Sequence, residues 1–452
     1  MQISRRNLLS GAVAASVGSV ALSAKAADLC SLPQKWDQTW EVIVIGAGGA
    51  GLAAGITAKE LGAKTIVLEK MAFPGGNTMV SGGGMNAAVE ADYKAAGVED
   101  SPKLHAEQTL AAGDNRADPA LVEILAKGAP ESVEWLKKIG VKFRPGIYQI
   151  YGGLWPRCRN PEGQSGSDYI KAGTAYAKKI GLEILPGHKV TSIIREKPNA
   201  GRVLGVEVEV GGKKQYWRAT RGVIAASGGY AANAEMCGFF DPRLTKLNTT
   251  NQPCSTGEVL RAIQDVNGLA VGMDYIQCIP WTAPGYTSTA DVFQAIEYTI
   301  FVNKEGKRFT NEYSEASSDR RITEDILKQT DAECFGVYNE TIYQTFMAID
   351  EKDFFDEYRM TGIDNSGSVI KADMLEELAE KLGVDQETFL ATMNGLKTDN
   401  IGNEEVVKLA DTYKSGPYYA VTLTPGVMDT LGGVLADTTG RVINKEGKPI
   451  KG

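Results

Sequence analysis

Three glycines and one glutamate have the types and the spacing of a nucleotide-binding site. Gly46, Gly48 and Gly51 form a G-x-G-x-x-G pattern. Glu69 follows near the distance of about 20 residues at which a ribose-binding acid is expected. Gly46 permits a tight turn, Gly48 lets the backbone approach a pyrophosphate, and Gly51 lets a helix pack closely against a strand. With Glu69 as a hydrogen-bond acceptor for a ribose hydroxyl, the pattern predicts a bound dinucleotide rather than an ordinary glycine-rich turn.

These residues need a strand, a helix and a second strand to position them. Residues 42–45 are an apolar run with the length and composition of a buried parallel strand. A helical pattern covers residues 52–61 and stops at Gly62. A second apolar run, residues 65–68, ends directly before Glu69. The order predicts a βαβ unit, in which a pyrophosphate would lie on the N–H groups at the start of the helix.

A second glycine-rich stretch, PGGNTMVSGGGMN, follows the ribose acid at residues 74–86. Glycines at this density let the backbone lie against a flat ligand, and Asn77, Thr78 and Ser81 offer hydrogen bonds. The alternative is a flexible surface loop, but the position directly after Glu69 favours contact with a cofactor.

The composition excludes several classes of function. The 452 residues carry a net charge of −8 and no Lys/Arg-rich block, which argues against a nucleic-acid-binding protein. A hydrophobic content of 43% is that of an ordinary globular protein. The six cysteines form no C-x-x-C or C-x-x-C-H pattern and there are two histidines. We therefore expect no metal site, no covalent haem and no Ser-His-Asp triad.

The first residues have the pattern of an export signal. Arg5 and Arg6 form a twin-arginine motif, an Ala/Gly/Ser-rich run follows, and residues 24–26 (AKA) offer a cleavage site between small residues. A transmembrane anchor is the alternative, but the run is shorter than the ~20 apolar residues that span a bilayer. We expect residues 1–26 to be a twin-arginine signal peptide and the mature chain to be periplasmic or otherwise outside the cytoplasm, without a membrane span.

Helical patterns dominate the stretch after the second glycine-rich segment. Asp118 is a predicted N-cap with Pro119 in the first turn, and apolar residues follow at helical spacing over 120–127. Pro130, with a glycine two residues earlier, predicts a break in this helix. We therefore expect a second short helix at residues 131–139.

Six stretches in this order resemble the flavoprotein subunit of the fumarate reductase/succinate dehydrogenase superfamily. The likeness is in particular to its soluble, flavocytochrome c-type branch, which includes fumarate, urocanate and methacrylate reductases. It extends from residue 40 to residue 452, and the stretches are 46–51 (GAGGAG) with Glu69, 75–87 (GGNTMVSGGGMNA), 223–230 (VIAASGGY), 255–262 (STGEVLRA), 302–312 (VNKEGKRFTNE) and 424–434 (TPGVMDTLGGV).

The resemblance implies an α/β fold with two units. A Rossmann-like FAD-binding domain, with a parallel sheet and βαβ connections, would be interrupted by an inserted α+β capping domain. The expected limits are 27–270 for the first part of the FAD-binding domain, 271–412 for the capping domain and 413–452 for the return to the FAD-binding domain. The resemblance also implies a last strand and helix beyond Gly452, which usually supply a Gly-Glu contact to FAD and a substrate-clamping arginine.

The same resemblance implies non-covalent FAD and suggests where its contacts fall. Besides the glycines of the first turn, the matching positions are Ala50, Glu69, Asn77, Thr78, Gly82, Gly83, Val190 and Glu258. The family usually has aspartate at the position of Glu258, and either carboxylate could accept a hydrogen bond from the cofactor.

In this family hydride passes from reduced flavin N5 to the β-carbon of an activated C=C bond, and an arginine delivers a proton to the neighbouring carbon. Arg320 and Arg321 are the candidates for this acid, because they begin a helical run shortly after Glu312. An arginine can act as an acid only where its surroundings offset a pKa above 12. The alternative is a solvated helix start in which the arginines bond to Asp319 or Glu324.

Several departures from the family pattern argue against fumarate as the substrate. Ile279 and the pair Met428-Asp429 stand where fumarate reductases have histidines. Val292 and Ala295 stand where they have the glutamate and the arginine of a proton relay. The pocket would be less basic and more apolar, and Asp429 would repel a carboxylate or bind an amine, an imidazole or a phenol hydroxyl. We expect a larger, aromatic or heterocyclic acceptor.

The sequence leaves three functional interpretations open. The first is an exported FAD-dependent reductase of an α,β-unsaturated acid or related enoate, which takes electrons from a separate cytochrome c or quinol-linked partner. The second is a 3-oxosteroid-type dehydrogenase, which moves hydride in the opposite direction on a similar core. The third is a truncated and inactive flavin-binding remnant.

Overall fold

The computed structural model describes most of the chain after the expected export signal. The described residues are 32–150, 153–163, 165–282, 299–312, 318–342, 344, 369–398, 401, 407–408 and 410–452. The predicted signal at residues 1–26 lies outside them, and so do Val292 and Ala295.

Strands and short helices are distributed along the whole described chain. The strands are β1 (Gln38–Ile45), β2 (Thr65–Leu68), β3 (Met85–Asn86), β4 (Cys158–Arg159), β5 (Glu183–Leu185), β6 (His188–Lys197), β7 (Ala200–Val210), β8 (Lys213–Ala225), β9 (Asn248–Thr249), β10 (Ala270–Val271), β11 (Ile276–Thr282), β12 (Ile300–Val302), β13 (Cys334–Asn339), β14 (Val369–Ala372), β15 (Tyr418–Thr430) and β16 (Gly433–Val434). The helices are α1 (Gly49–Glu60), α2 (Gly76–Val80), α3 (Glu90–Ala95), α4 (Pro102–Ala112), α5 (Pro119–Ile139), α6 (Ser167–Lys179), α7 (Ala234–Phe240), α8 (Glu258–Asp265), α9 (Ser318–Ile326), α10 (Leu375–Leu382) and α11 (Gln386–Asn394). None of these helices has the length and apolar character needed to cross a membrane.

The first sheet carries the predicted nucleotide-binding turn. Its order is β5-β2-β1-β8-β7-β6, in which β5, β2, β1 and β8 run parallel and β7 and β6 continue as antiparallel strands. All four residues of β2 are buried, as are the last three of β1. Continuous apolar runs of this kind are typical of parallel strands covered on both faces. The predicted βαβ unit is confirmed as β1-α1-β2, although β1 begins earlier than expected, at Gln38.

The second sheet is mainly antiparallel and is built around one long strand. β15 pairs with β11, β13 and β14 in the antiparallel sense and with β9 in parallel, while β12 pairs with β13. Its hydrophobic core contains Phe301, Val337, Phe389 and Leu423. α9 packs against β11 and β15, and α10 packs against β14 and β15. The expected α/β fold with a second α+β unit is confirmed, and the domain limits given above stay predictions.

The expectation of two short helices between Asp118 and Ile139 is wrong. α5 continues through Pro130 as one helix, because Ala126, Ala129 and Val133 on either side of the proline are buried along one face. Tertiary packing of that face outweighs the missing N–H of the proline. The predicted start is confirmed, since Asp118 accepts a hydrogen bond from the N–H of Ala120 at 2.9 Å.

The last residues of the chain lie beside β8. The pairing of β8 with β7 ends at Arg218, whereas its pairing with β1 continues to Ala225. Within the described residues no strand pairs with 222–225 on the side away from β1. On that side the N–H of Val223 donates to the Gly452 carbonyl at 2.8 Å. The end of the described chain therefore lies along the part of β8 with which β7 does not pair.

Candidate functional site

The first turn of α1 has room for an anion. Its N-cap residue is Gly48, which has no side chain to cap the helix, and the first turn carries no acidic residue. A Cβ on Gly48 would lie 3.6 Å from the carbonyl oxygen of Gly75, which is an ordinary van der Waals contact. Helix N-termini of this kind bind phosphate through their backbone N–H groups. The geometry fits a pyrophosphate, with the exposed Ala50 beside it.

The other two glycines of the pattern shape the turn itself. Gly46 has a φ of +98°, and a Cβ there would lie 2.5 Å from the carbonyl oxygen of Ala226. A Cβ on Gly51 would lie 1.9 Å from the carbonyl oxygen of Gly46. α1 can therefore approach the end of β1 only because neither position carries a side chain.

Glu69 is buried, with 6% of its surface exposed, and it already holds the turn together. Its Oε2 accepts from the N–H of Ala47 and its Oε1 accepts from the N–H of Met71, both at 2.8 Å. A carboxylate can accept about four hydrogen bonds, so contact with a ribose remains compatible with both. The sequence suggested the ribose contact but not this second role in fixing the backbone of the turn.

The second glycine-rich stretch folds as α2 and the loop after it, next to the start of α1. Thr78 Oγ1 accepts from the N–H of Gly49 at 3.1 Å, which joins the two helix starts. A Cβ on Gly82 would meet no atom within 4 Å, so the loop is open there, whereas Gly83 is buried. The Ser81 hydroxyl donates to the Thr78 carbonyl at 2.9 Å and is engaged within the loop.

Glu258 begins α8 and lies among cationic and hydroxyl groups. It is 2.9 Å from Lys70 and 3.5 Å from Lys189, and it accepts from the Thr256 hydroxyl. Burial works to raise the pKa of this carboxyl, but the hydrogen bonds from Thr256 and Lys70 outweigh it and lower the pKa to about 2. Val190, on β6, is buried in the core of the first sheet, so a contact with a cofactor would come through its main chain.

The two candidate arginines have different surroundings. Arg320 is 75% exposed and lies 4.0 Å from Asp114. Arg321 donates to Thr310 Oγ1 at 2.8 Å and to the carbonyl of Asn311. α9 therefore presents one arginine to solvent and holds the other against the segment that precedes it.

That segment is anchored by an ion pair that no sequence pattern indicated. Arg308 and Glu312 are both buried, with 2.7 Å between the guanidinium and the carboxylate. Glu312 also accepts from the N–H of Phe301, in β12, at 2.9 Å. Because a buried pair with further hydrogen bonds holds one geometry, it fixes the backbone from which Thr310 and Asn311 contact Arg321.

Asp429 lies near the end of β15, opposite Gln277 of β11. Its side chain is open to solvent, yet its surroundings bury the carboxyl enough to raise its pKa. Ile279, two residues along β11, is buried in the core of the second sheet. Asp429 is therefore available to a ligand, while Ile279 serves packing.

A network of amides connects the predicted cofactor loop with the strand that carries Asp429. Asn77 Nδ2 donates to Asn251 Oδ1, and Asn251 Nδ2 donates to the carbonyl of Met428. No sequence pattern indicates Asn251, because its partners lie 174 and 177 positions away along the chain. The network brings two separately predicted sets of residues together.

Comparisons with known proteins agree with this geometry. The family described as FAD binding domain matches residues 41–452. A fumarate reductase (cytochrome) from Shewanella frigidimarina is 32% identical over 95% of this chain and 73% of its own length. A urocanate reductase from Eggerthella lenta is 29% identical over 91% of this chain and 68% of its own. The solved open conformation of a flavocytochrome c3 fumarate reductase has a TM-score of 0.78 and 27% identity, over 92% of this chain and 72% of that chain.

The family match takes in both sheets, since it runs from β1 to the end of the described chain. The start of α1, where Gly48 provides no side-chain cap and the first turn carries no acidic residue, suits the pyrophosphate of the cofactor that the family binds, which is FAD. The chain therefore belongs to the FAD-binding flavoproteins related to fumarate reductase, and it is a flavin-dependent oxidoreductase.

Proposed function

We propose that this protein reduces the C=C bond of an α,β-unsaturated acid or a related enoate. The observation that carries the proposal is the amide network that connects Asn77, in the cofactor loop, with Met428, next to Asp429. It supports an arrangement in which a ligand at Asp429 lies beside the cofactor. Relatives are named for the reduction of fumarate and of urocanate, which both contain such a bond. Bound FAD would supply the hydride, from its N5 atom.

The proposed FAD contacts lie on α1, α2, the adjoining loops, β6 and α8: Gly46, Gly48, Ala50, Gly51, Glu69, Asn77, Thr78, Gly82, Gly83, Val190 and Glu258. The N–H groups at the start of α1 would take the pyrophosphate and Glu69 a ribose hydroxyl. The open loop at Gly82 offers backbone to a flat ring.

Arg321 is a better candidate than Arg320 for the proton donor. Its contacts with Thr310 and Asn311 aim the guanidinium, whereas Arg320 is solvated. Proton transfer needs a donor held within hydrogen-bond reach of the carbon that receives the proton. Asp325, 3.5 Å from Arg321, could return a proton to it after each turnover.

The substrate we infer is an enoate with an amine, imidazole or phenol group, and not fumarate. Neither histidine of the chain can replace the substrate-binding histidines of fumarate reductases. His105 is 6% exposed within α4, and His188, on β6, packs against Trp217 with ring centroids 5.6 Å apart. A group that donates hydrogen bonds or carries positive charge would instead meet the Asp429 carboxylate.

We also propose that the protein is exported and receives electrons from a separate cytochrome c or quinol-linked donor. The twin-arginine motif at Arg5 and Arg6 supports export after folding. The sequence given has no C-x-x-C-H motif with which to bind a c-type haem of its own.

An anaerobic assay with reduced viologen tests the proposal. FAD-loaded protein is offered fumarate and three aryl enoates of similar size that carry an imidazole, a phenol or a plain phenyl ring. We expect the imidazole or phenol compound to oxidise viologen with a kcat/KM at least tenfold above that of fumarate. Asp429→Asn should lower this kcat/KM about tenfold and leave the phenyl compound unaffected, because one hydrogen bond to a charged group is lost.

Each other outcome points to a different interpretation. Equal use of fumarate would contradict the inferred substrate class but not the reductase. Reduction of a dye by a saturated donor, without viologen oxidation, would indicate a dehydrogenase. Protein that holds FAD but is inert to every acceptor and donor would indicate an inactive remnant.

A further inference from the structure

Asn251 lies between the cofactor loop and the proposed substrate strand. It follows β9 by two residues and is 7% exposed. Its two polar side-chain atoms contact different elements: Oδ1 accepts from Asn77, in α2, and Nδ2 donates to the Met428 carbonyl, in β15. One amide group therefore spans two segments that are far apart in the sequence.

The direction of these hydrogen bonds is fixed by a backbone donor. The N–H of Gln252 donates to Asn77 Oδ1 at 2.9 Å, and a backbone N–H can only donate. The other atom of the Asn77 amide must then be the NH₂ group, so it donates to Asn251 Oδ1. The remaining NH₂ group of Asn251 faces a carbonyl, which can only accept. The side-chain amides of Asn77 and Asn251 therefore each have one orientation that satisfies their neighbours.

The backbone around Asn251 is itself attached to β15. The Thr249 hydroxyl donates to the Val427 carbonyl at 2.8 Å and accepts from the N–H of Asn251 at 3.1 Å. The N–H of Thr250 donates to the same carbonyl at 3.1 Å. Asn251 therefore has a fixed place relative to β15, and its contact with Asn77 fixes the position of α2 relative to the same strand.

We propose that Asn251 is a positioning residue that sets the distance between the FAD-binding loop and the strand that carries Asp429. The inference rests on the proposed function, in which Asn77 contacts FAD and Asp429 contacts the substrate. Asn251 acts through these neighbours and not on the reacting atoms. A misplacement of about 1 Å between reacting groups can lower a rate about 10²-fold, so a single amide at this junction has a large effect.

Asn251→Asp separates the two contacts. The carboxylate still accepts from Asn77 but has no hydrogen to donate to the Met428 carbonyl. We expect the Kd for FAD to stay within about twofold of wild type, while kcat/KM falls at least tenfold, because the hydrogen bond to Met428, next to Asp429, is lost and the contact with Asn77 is kept. The control is Asn339→Asp, since Asn339 is fully buried in β13 and also donates to two carbonyls, those of Thr412 and Ser415. That variant should lower the melting temperature and leave the kinetic constants near those of wild type.

A double-mutant cycle on FAD affinity tests the contact with Asn77 without any turnover. FAD binding is titrated by flavin fluorescence for wild type, Asn77→Ala, Asn251→Leu and the double variant. Asn251→Leu removes both hydrogen bonds and should weaken FAD binding about tenfold. If Asn251 acts through Asn77, it should have little further effect in the Asn77→Ala background.

The results separate this inference from the proposed function. Fully additive effects on FAD affinity, or wild-type kinetics for Asn251→Asp, would show that Asn251 positions nothing. Equal kinetic losses in Asn251→Asp and Asn339→Asp would assign both to general destabilisation. Wild-type protein that binds FAD but reduces no enoate would contradict the proposed reaction, and the cycle would still decide whether Asn251 positions the cofactor loop.

Discussion

A guanidinium that delivers protons must be held in place, and the two adjacent arginines of α9 differ in this respect. Arg321 is bonded to Thr310 and Asn311, and Arg320 is mostly in solvent. We expect Arg321→Ala to lower kcat about 10²- to 10⁴-fold, the usual contribution of a general acid, and Arg320→Ala to change it less than about threefold. Viologen oxidation measures both, with FAD content as the control for folding. A large loss in Arg320→Ala and none in Arg321→Ala would reverse the assignment.

Glu258 should make stability depend on pH in acid. Its folded-state pKa of about 2 lies below the ordinary value of 4.5, so the carboxylate stabilises the fold above pH 4.5, and this contribution is lost as the pH falls from 4.5 towards 2. Glu258→Gln should lower the free energy of unfolding at pH 7 by about 1 kcal/mol or less, because the pair with Lys70 is partly exposed and screened by water.

Urea unfolding of wild type and Glu258→Gln at pH 7, 4.5 and 3 measures this contribution. The difference between the two proteins should shrink as the pH falls and should also shrink at pH 7 in 1 M salt, where the Debye length is about 3 Å. A difference that stays constant from pH 7 to pH 3 would mean that the charge of Glu258 does not stabilise the fold.

Single residues could be predicted from the sequence where their role depends on neighbours in the chain. Gly46, Gly51 and the acid at Glu69 belong to one βαβ unit, so their spacing alone indicated their places. Lys70 and Asn251 could not be predicted in this way, because their partners lie 188 and 174 positions away. Only the folded chain brings such partners together.

At the level of elements, the packing of α1 on β1 depends on the absence of one methyl group. Gly51→Ala would place a Cβ 1.9 Å from the Gly46 carbonyl oxygen, so the helix must shift. We expect a loss of about 1–3 kcal/mol in the free energy of unfolding, although alanine is intrinsically better in helices by up to ~1 kcal/mol. Thermal or urea unfolding of the FAD-free protein measures it.

Gly48→Ala is the matched control, because its Cβ would make an ordinary contact, 3.6 Å from the Gly75 carbonyl oxygen, and the φ of −77° is open to alanine. This variant should unfold like wild type but bind FAD at least tenfold more weakly, since the methyl group occupies the space proposed for the pyrophosphate. If Gly51→Ala is as stable as wild type, the close approach of α1 is not required. If Gly48→Ala binds FAD normally, the pyrophosphate lies elsewhere.

Elements with strong patterns could be predicted, and those decided by packing could not. The strand at Thr65–Leu68 has the predicted limits, because a short apolar run beside an acid leaves few alternatives. The break expected at Pro130 is absent, since the sequence shows the cost of the proline but not the burial of Ala126 and Val133 that offsets it.

For the whole molecule, the class of fold followed from one βαβ unit and a family resemblance, but the way the two sheets are connected did not. Among the described residues β15 pairs with β9, β11, β13 and β14, which all precede it in the chain, and its parallel contact with β9 comes from residues 248–249. Pairing between segments this distant has no local pattern, since any apolar strand could occupy the place. The position of Asp429 relative to Asn77 is a consequence of that pairing, which is why the sequence suggested both residues but not their connection.

The last two residues of the described chain give a prediction for the whole molecule, because they bind β7 and β8 of the first sheet. The Lys451 carbonyl accepts from the N–H of Val203 and the Gly452 carbonyl from the N–H of Val223, both at 2.8 Å. Removing these two residues leaves both N–H groups without these partners, and each hydrogen bond contributes about 1 kcal/mol. We expect the shortened chain to lose about 1–3 kcal/mol in urea unfolding. Lys451→Ala, which keeps the main chain, should be neutral, and equal stability of all three proteins would show that these two hydrogen bonds contribute nothing to the fold.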